Sequence, residues 1–262
     1  MARFALVTGA AGDLGRAVCA AFAANGWSLF ITDHPSAAER LEATRAACAR
    51  DAADVVATTF DVTDHDAAER SIAEIADRHG PPTAIVAGAG IQGPFAPIHD
   101  YDATSFRIVL DVNVVGTFNC IAAAARSLIG AGSGGSIVAI ASMAGVNGAP
   151  NMPAYAASKA AVIGLVKNAG RDLAPHAIRV NAVSPGFIGP GAMWENQVAA
   201  QAAVGSQYFA SDAESVATQM IEAIPLRRYG SPGEVAEVIR FLADDRSSYL
   251  TGTNIEIAGG AF

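Results

Sequence analysis

Residues 3–15, RFALVTGAAGDLG, decide the fold class of this chain. The apolar run at residues 4–7 predicts a short buried strand. It leads directly into a glycine-rich segment at residues 8–15, and residues 14–25 then have helical character and end at Gly26. Glycines allow a sharp turn between a strand and a helix, and the free N–H groups at the start of that helix attract anions. The stretch therefore predicts a strand, a phosphate-binding turn and a helix, as in a dinucleotide site.

The alternation of strand and helix continues to the end of the chain. Six further strands are predicted, at residues 27–32, 54–60, 84–87, 136–142, 179–183 and 254–257, and a long helix at about 105–129. Strands that alternate with helices form a parallel sheet covered on both faces. We therefore expect an α/β fold: a Rossmann-like, doubly wound parallel sheet of about seven strands flanked by helices, in a single domain over residues 1–262.

Composition argues against several classes of function. The net charge of −8 and the lack of a basic cluster disfavour a nucleic-acid partner. No apolar run approaches the roughly 20 residues that span a bilayer, and no signal peptide is recognisable, so no membrane partner is expected. The five histidines lack metal-ligand spacing, so no metal is expected. Cys19, Cys48 and Cys120 fall in predicted helices without paired spacing, which favours reduced packing residues in a cytoplasmic protein.

A second constellation reads Ser142-x12-Tyr155-x3-Lys159. On a helix, a tyrosine four residues before a lysine lies on the same face, one turn away. A phenol has a pKa of about 10, and a nearby ammonium favours the phenolate and lowers that pKa. The pair therefore makes a proton donor and acceptor for a carbonyl or an alcohol, and Ser142 can hydrogen-bond the same oxygen.

The alternative is that Tyr155 and Lys159 merely lie on a helix surface. The choice of lysine argues against it, because 15 of the 17 basic residues are arginine and only Lys159 and Lys167 are lysine. A lysine ammonium is a compact charge, whereas an arginine guanidinium is a planar fork. We therefore expect Ser142, Tyr155 and Lys159 to be catalytic.

Asp33 ends the second predicted strand, 18 residues after Gly15. An acidic residue at about this distance hydrogen-bonds the ribose 2′-hydroxyl of NAD and would repel the 2′-phosphate of NADP. No arginine or lysine lies between Arg16 and Arg40, so the sequence offers no clamp for that phosphate. The alternative is a strand-end aspartate that begins a turn before Pro35. With the glycine turn present, we expect NAD in preference to NADP.

Across about residues 3–260, these motifs resemble the short-chain dehydrogenase/reductase family, in its short single-domain branch. The family's T-G-x3-G-x-G turn is similar to Thr8–Gly15, with one departure: Asp13 stands where the family has its middle glycine, and Gly12 lies one place early. Aspartate tolerates left-handed backbone angles better than most residues. We expect Arg16 to offset the carboxylate, or Asp13 to cap the helix.

The resemblance implies roles for further residues. Asn113 is similar to the family's catalytic asparagine, which anchors a water near the lysine; the alternative is a mid-helix asparagine facing solvent. Asp61-Val62 resembles the pair that borders the adenine. Asp61, Thr63 and Asp64 also suit the start of a helix, and the two interpretations are compatible. The implied cofactor-binding set is Gly9, Gly12, Asp13, Leu14, Gly15, Asp33, Asp61, Val62, Ala89, Gly90, Tyr155, Lys159, Pro185, Gly186 and Ile188. Two asparagines that the family has at 87–88 are missing here, as is the threonine after its Pro-Gly turn.

The family resemblance implies an NAD-dependent enzyme that interconverts a secondary alcohol and a ketone. Residues 187–226 are expected to form a helical lid over the substrate. Its apolar side chains favour a cyclic or medium-sized, largely apolar substrate, although each of them could instead pack the lid onto the body. Candidate substrate contacts are Gln92, Ser142, Met143, Met152, Tyr155, Phe187 and Trp194.

Two alternatives stay open. One is a sugar or polyol dehydrogenase on the same scaffold, in which the lid supplies hydrogen bonds. The other is a cofactor-binding regulator without turnover, against which the intact Asn113, Ser142, Tyr155 and Lys159 argue. The family commonly forms homotetramers through the helices that carry Asn113 and Tyr155, so the resemblance also implies a homotetramer.

Overall fold

Seven parallel strands form one sheet in the computed structural model, which describes residues 3–261. The strands are β1 (Phe4–Thr8), β2 (Ser28–Asp33), β3 (Val55–Thr59), β4 (Ala84–Ala87), β5 (Gly135–Ile140), β6 (Ile178–Pro185) and β7 (Asn254–Ile257). The helices are α1 (Asp13–Ala23), α2 (Ala38–Cys48), α3 (His65–His79), α4 (Ala103–Leu110), α5 (Gly116–Gly130), α6 (Met143–Asn147), α7 (Pro153–Asp172), α8 (Ala192–Val204), α9 (Ala213–Glu222) and α10 (Pro232–Ala243). The expected doubly wound α/β sheet is confirmed.

The order of the strands creates a crevice beside β1. The sheet runs β3-β2-β1-β4-β5-β6-β7, so the chain moves outward over three strands and then returns to pair β4 with the other side of β1. Val7 of β1 lies in register with Ile31 on one side and Val86 on the other. At such a reversal the loops leave the strands in opposite directions, and ligands bind at the carboxyl ends of the strands.

Alternate residues of β1 supply two separate hydrophobic cores. Phe4 and Leu6 pack with buried residues of α3, α5 and α7 on one face of the sheet. Ala5 and Val7 pack with α1, α2 and α10 on the other. Side chains of a strand alternate between the two faces, and a sheet covered on both faces therefore needs a continuous apolar run. All five residues of β1 are accordingly buried.

The long helix predicted at 105–129 differs from expectation in one respect. The helical segment spans 103–130, and α4 and α5 are joined by one π-helical turn at Asp111–Val115. By length and composition this segment could cross a membrane, contrary to the expectation that no apolar run is long enough. In the structure 56% of its most apolar window is buried inside the protein, where it packs on the sheet and α3.

The segment at 187–226, which we call the lid, contains α8 and α9. Val198, Val216 and Met220 are buried between these helices and form a third, smaller core with Phe187 and Trp194 at its edge. The lid is thus held partly by its own packing rather than only by the body. The three cysteines lie in α1, α2 and α5, and each is a buried free thiol.

Candidate active site

A cavity of about 710 Å3 follows the carboxyl ends of the strands and continues beneath the lid. Every residue that the sequence analysis assigned to the cofactor or the substrate contributes to its lining. Asn113 is the predicted site residue that lies behind this surface. The structure therefore brings the predicted set together, while the role of each residue stays a prediction.

The glycine turn leaves a helix end open to the cavity. Gly12 precedes the first residue of α1, and among the described residues no side chain caps this helix end. The first N–H groups of a helix lack partners within it, so they can bind an anion. Gly9 has a φ of 70°, and a Cβ there would lie 2.8 Å from the Ala89 nitrogen. Only glycine allows the turn to approach the end of β4 this closely.

Asp13 does not cap α1, because Gly12 occupies that place. The expected offset by Arg16 is present, since the guanidinium is paired with the Asp13 carboxylate. The second carboxylate oxygen, Oδ2, accepts a hydrogen bond of 2.8 Å from the N–H of Ala192, the first residue of α8. Asp13 therefore caps a helix, but it is the lid helix, 179 residues further along the chain.

Asp33 supports the turn as well as facing the cavity. Its carboxylate accepts hydrogen bonds of 2.8 Å from the N–H of Ala11 and 2.8 Å from that of His34. The turn-forming alternative therefore describes part of its role. Arg40 of α2 also lines the cavity, with an exposed side chain. The sequence analysis found no basic residue between Arg16 and Arg40, and the structure adds that Arg40 itself reaches the cavity from α2.

The end of β4 is held by a residue that the sequence analysis did not select. The Thr8 hydroxyl accepts hydrogen bonds from the N–H groups of Gly88 (3.1 Å) and Ala89 (3.2 Å). A side-chain oxygen from β1 thus supports the β4 loop, where the family's two asparagines are missing. The signal for this role was present, because Thr8 is the first residue of the glycine motif.

Asp61 binds within its own turn rather than capping a helix. Its Oδ1 accepts from the N–H of Thr63 at 2.9 Å, whereas Asp64 is the residue that caps α3, accepting from Ala67 at 2.9 Å. The helix cap expected among Asp61, Thr63 and Asp64 is therefore Asp64. Asp61 and Val62 still line the cavity beside the end of β3.

Tyr155 and Lys159 lie one turn apart near the start of α7. The Lys159 nitrogen is 5.7 Å from the centroid of the Tyr155 ring and donates a hydrogen bond of 2.7 Å to the Ile140 carbonyl. Ser142 lies two residues beyond the end of β5, not within it as predicted. Its hydroxyl accepts from the N–H of Ala144 at 3.2 Å and so caps the short helix α6.

The pKa values of this pair differ from the sequence expectation. Burial lowers the pKa of Lys159 to about 8. Burial also raises the pKa of Tyr155, and a hydrogen bond with Ser142 opposes that rise. We expected the ammonium to lower the tyrosine pKa. Burial of both groups therefore outweighs the expected effect of the ammonium on the phenol.

Asn113 is fully buried in the π-helical turn, so the solvent-facing alternative is wrong. Its amide nitrogen donates to the Ile91 carbonyl and the Ser158 hydroxyl, both at 2.9 Å, and its oxygen accepts from the Ile91 N–H at 2.8 Å. The Ser158 hydroxyl in turn donates to the Tyr155 carbonyl at 2.7 Å. Asn113 thus ties the loop after β4 to the first turn of α7.

Ile188 lines the cavity and forms a short parallel bridge with Gly230. Its neighbours carry the pairing with Gly230: the Gly189 N–H donates to the Gly230 carbonyl, and the Gly230 N–H donates to the Phe187 carbonyl, each at 2.9 Å. In a parallel bridge of this kind the central residue's own N–H and C=O face the opposite way. Pro185, Gly186 and Ile188 all line the cavity.

The substrate end of the cavity combines apolar and amide side chains. Met143, Met152, Phe187 and Trp194 line it, as predicted for an apolar pocket. The Gln92 amide donates to the Gln197 amide oxygen of α8 at 3.0 Å. Gln197 and Gln201, four residues apart on α8, also line the cavity, and the sequence analysis missed both. Their spacing places them on one face of a helix, which was a usable signal.

Comparisons with known proteins agree with this geometry. A family model described as enoyl-(acyl carrier protein) reductase matches residues 9–261. Levodione reductase from Leifsonia aquatica is 34% identical over 260 residues, covering 98% of this chain and 93% of that protein. The chain belongs to the short-chain dehydrogenase/reductase family. This member is accordingly an oxidoreductase that acts on CH–OH groups, and its fold implies a nicotinamide cofactor.

Two further relatives extend the comparison for this short-chain dehydrogenase/reductase. The mouse (Mus musculus) protein (3R)-3-hydroxyacyl-CoA dehydrogenase is 36% identical over 264 residues, covering 98% of this chain and 95% of that one. A crystal structure of NAD+-bound xylitol dehydrogenase superposes with a TM-score of 0.95 at 44% identity, covering 98% of each chain. The names of these relatives point to different substrates, so the family alone leaves the substrate of this member open.

Proposed function

We propose that this protein is an NAD(H)-dependent oxidoreductase that interconverts a secondary alcohol and a ketone, with residues 1–262 as one catalytic domain. The observation that carries the proposal is the juxtaposition of Ser142, Tyr155 and Lys159 in one wall of the cavity. A hydroxyl, a phenol and an ammonium on one wall can hold a substrate oxygen and move its proton.

The cavity residues fit a nicotinamide dinucleotide. Within residues 3–261, the start of α1 has no side-chain cap and suits a pyrophosphate, and the backbone N–H and C=O of Ile188 are not used in the bridge to Gly230 and match the acceptor and donors of a carboxamide. When bound, the cofactor supplies the hydride acceptor or donor that the protein itself lacks. The protein's own contribution is to bind, to orient and to move a proton.

The proton transfer is assigned to the Tyr155 hydroxyl. Because burial raises its pKa, Tyr155 is protonated at neutral pH and can donate to a developing alkoxide, which suits ketone reduction. Alcohol oxidation needs the phenolate, so its rate should rise with pH above neutrality. Ser142 holds the substrate oxygen, and the Lys159 ammonium, mostly charged at pH 7, stabilises the phenolate. Asn113 acts through others, by fixing Ile91 and Ser158.

Asp33 supports NAD over NADP. Its carboxylate lies at the end of β2 and lines the cavity, where a ribose 2′-hydroxyl could donate to it. The 44% identical xylitol dehydrogenase was solved with NAD+ bound, which favours the same choice here. Arg40 is the residue that could oppose it by attracting a 2′-phosphate. Comparing kcat/KM for NAD and NADP tests the proposal, and NADP preference would reject it.

For the substrate, two classes have a specific observation in their favour. The methionine and aromatic lining, and the relative levodione reductase, favour a cyclic or medium-sized, largely apolar ketone. The amides of Gln92 and Gln197, and the similarity to xylitol dehydrogenase, favour a polyol. Amide side chains both donate and accept, so they match several hydroxyl groups at once. We favour the polyol, because an apolar substrate would leave the Gln92 oxygen and the Gln197 NH2 group, within the described residues, with no partner beyond the single hydrogen bond that joins the two side chains.

One assay separates these possibilities. Formation of reduced nicotinamide is followed by absorbance with a panel of polyols and a panel of cyclic secondary alcohols, with Tyr155→Phe as the matched control. Turnover of polyols alone supports the polyol proposal, and turnover of cyclic alcohols alone supports the apolar one. Cofactor binding without turnover of either panel would contradict the proposed activity and favour a non-catalytic regulator.

The remaining proposals are a homotetramer and a cytoplasmic location. Ile108, Val115, Phe118 and Ile129 of the 103–130 segment are exposed in the single chain, which supports burial of this face by other copies. The mass in solution tests it, and a monomer would reject it. The buried free thiols favour a reducing compartment. Cell fractionation tests this location.

A further inference from the structure

The side chain of Asp13 connects two parts of the site that the sequence separates widely. Residue 13 begins α1 in the phosphate-binding turn, and Oδ2 of its carboxylate accepts from the N–H of Ala192 at 2.8 Å. We call this hydrogen bond the lid contact. The N–H of Ala192 is one of the unpartnered donors at the start of α8, so a carboxylate here satisfies it and matches the helix dipole.

Gly191 makes room for the lid contact. It is the residue before α8, with a φ of 150°, and a Cβ at this position would overlap Oδ2 and Cγ of Asp13. Asp13, which departs from the family pattern, and Gly191 therefore fit each other. The family's glycine at position 13 would carry no carboxylate to accept from Ala192.

The other side-chain hydrogen bonds between the lid and the body, within residues 3–261, lie further along the lid, in α8 and beyond it at Ser206 and Glu222. Gln197 pairs with Gln92, and Gln201 accepts from Asn151 at 2.7 Å. The lid contact is thus the tie at the N-terminal end of the lid helix. It is also the hydrogen bond whose acceptor, Asp13, belongs to the phosphate-binding turn.

We propose that Asp13 is a positioning residue that couples closure of the lid to binding of the cofactor pyrophosphate. With the lid closed, Arg16 and the start of α8 both offset the Asp13 charge. Opening the lid removes one of these, which leaves a less compensated carboxylate beside an anionic ligand. Cofactor binding therefore favours the closed lid. This inference rests on the proposed cofactor site.

The first test uses the fluorescence of Trp194. This residue lies in the lid, with its ring 5.5 Å from that of Tyr229, whereas the second tryptophan, Trp27, is only 4% exposed. Quenching by acrylamide therefore reports mainly on the lid. Asp13→Ala should shift the lid toward the open state about fivefold, the usual effect of removing a cap. Asp13→Asn keeps an acceptor oxygen and should restore most of the protection, because Asn and Asp are similar caps.

A second variant removes the contact from the other side. Ala192→Pro deletes the donor N–H, and proline suits the first position of a helix. Ala192 is exposed, so the ring has space. If the hydrogen bond carries the effect, Ala192→Pro raises quenching as Asp13→Ala does, and the double variant is no worse than either single one. Asp64→Ala is the matched control, since it removes the aspartate cap of α3 and should leave Trp194 quenching unchanged.

The coupling itself is tested by adding NADH. In the wild type, NADH should decrease Trp194 quenching. In Asp13→Ala and Ala192→Pro, the dissociation constant of NADH should rise by up to about fivefold. Both substitutions should affect the substrate KM more than kcat. Unchanged Trp194 quenching in both variants would show that the lid contact does not hold the lid closed. An unchanged dissociation constant for NADH would contradict the proposed coupling. Failure of the wild type to bind NADH would defeat the proposed function, while the quenching of the cofactor-free protein would still report on the lid contact.

Discussion

The buried ammonium of Lys159 makes a prediction about stability that does not depend on the substrate. Burial lowers its pKa from 10.5 to about 8, so the folded protein binds this proton more weakly than the unfolded chain does. A difference of about 2.5 pKa units corresponds to about 3 kcal/mol of destabilisation while the amine is charged. The protein carries this cost at neutral pH because the same charge is needed beside Tyr155.

The sign follows from proton counting. Between pH 8 and 10.5 the unfolded state binds more protons at Lys159 than the folded state, so the free energy of unfolding rises with pH in this window. Below pH 8 the cost is fully present, and above 10.5 it is absent. From pH 7 to pH 9.5 the contribution of this one group should improve by about 2 kcal/mol.

The perturbation is Lys159→Met, which keeps a long apolar stem and removes the titrating amine. Urea unfolding followed by circular dichroism at pH 7, 8, 9 and 9.5 gives the free energy of unfolding for both proteins. The wild type should gain about 2 kcal/mol relative to the variant over this range. The hydrogen bond to Ile140 is lost at every pH, so it shifts the two curves apart without changing their slopes. Parallel curves would refute the reasoning, because they would mean that Lys159 titrates alike in both states.

Three further predictions concern activity. Tyr155→Phe should lower kcat by about 10²–10⁴-fold, the usual contribution of a proton-transfer group, and fluorescence titration should find NADH binding retained; normal turnover would contradict the assignment. Asp33→Ser should raise the ratio of kcat/KM with NADP to kcat/KM with NAD by about tenfold or more, because NAD loses a hydrogen bond to a charged group. Adding Arg40→Ala should reverse part of this increase in the ratio. An unchanged ratio would remove Asp33 from cofactor choice. Gln197→Leu should raise the KM for polyols about tenfold and leave that for cyclic alcohols unchanged, as steady-state kinetics would reveal; equal effects on both would point to a damaged lid instead.

The sheet was readable from the sequence because buried parallel strands are continuous apolar runs. Two strands, Ala84–Ala87 and Asn254–Ile257, have the predicted bounds, and the others differ by one or two residues at an end. The glycine motif and the Tyr-x3-Lys pair were also readable, because each places its groups through local geometry of a turn or a helix. The family resemblance was confirmed by the comparisons.

The features that escaped prediction all depend on residues distant in the chain. Asn113, in the π-helical turn, hydrogen-bonds to Ile91 and Ser158. No local sequence pattern identifies these two partners. The lid contact of Asp13 spans 179 residues. The pKa of Tyr155 was predicted in the wrong direction because spacing reveals a neighbouring charge but not the burial of both groups.

The reactivity of the three cysteine thiols can be used to measure local unfolding of this protein. Burial raises the pKa of the Cys19 and Cys48 thiols and that of Cys120 to about 12, so the reactive thiolate is scarce in the native state. Reagents that label thiols must therefore wait for the helices to separate from the sheet. Labelling rates at the three positions would then report how often α1, α2 and α5 detach, without any residue being introduced by mutation.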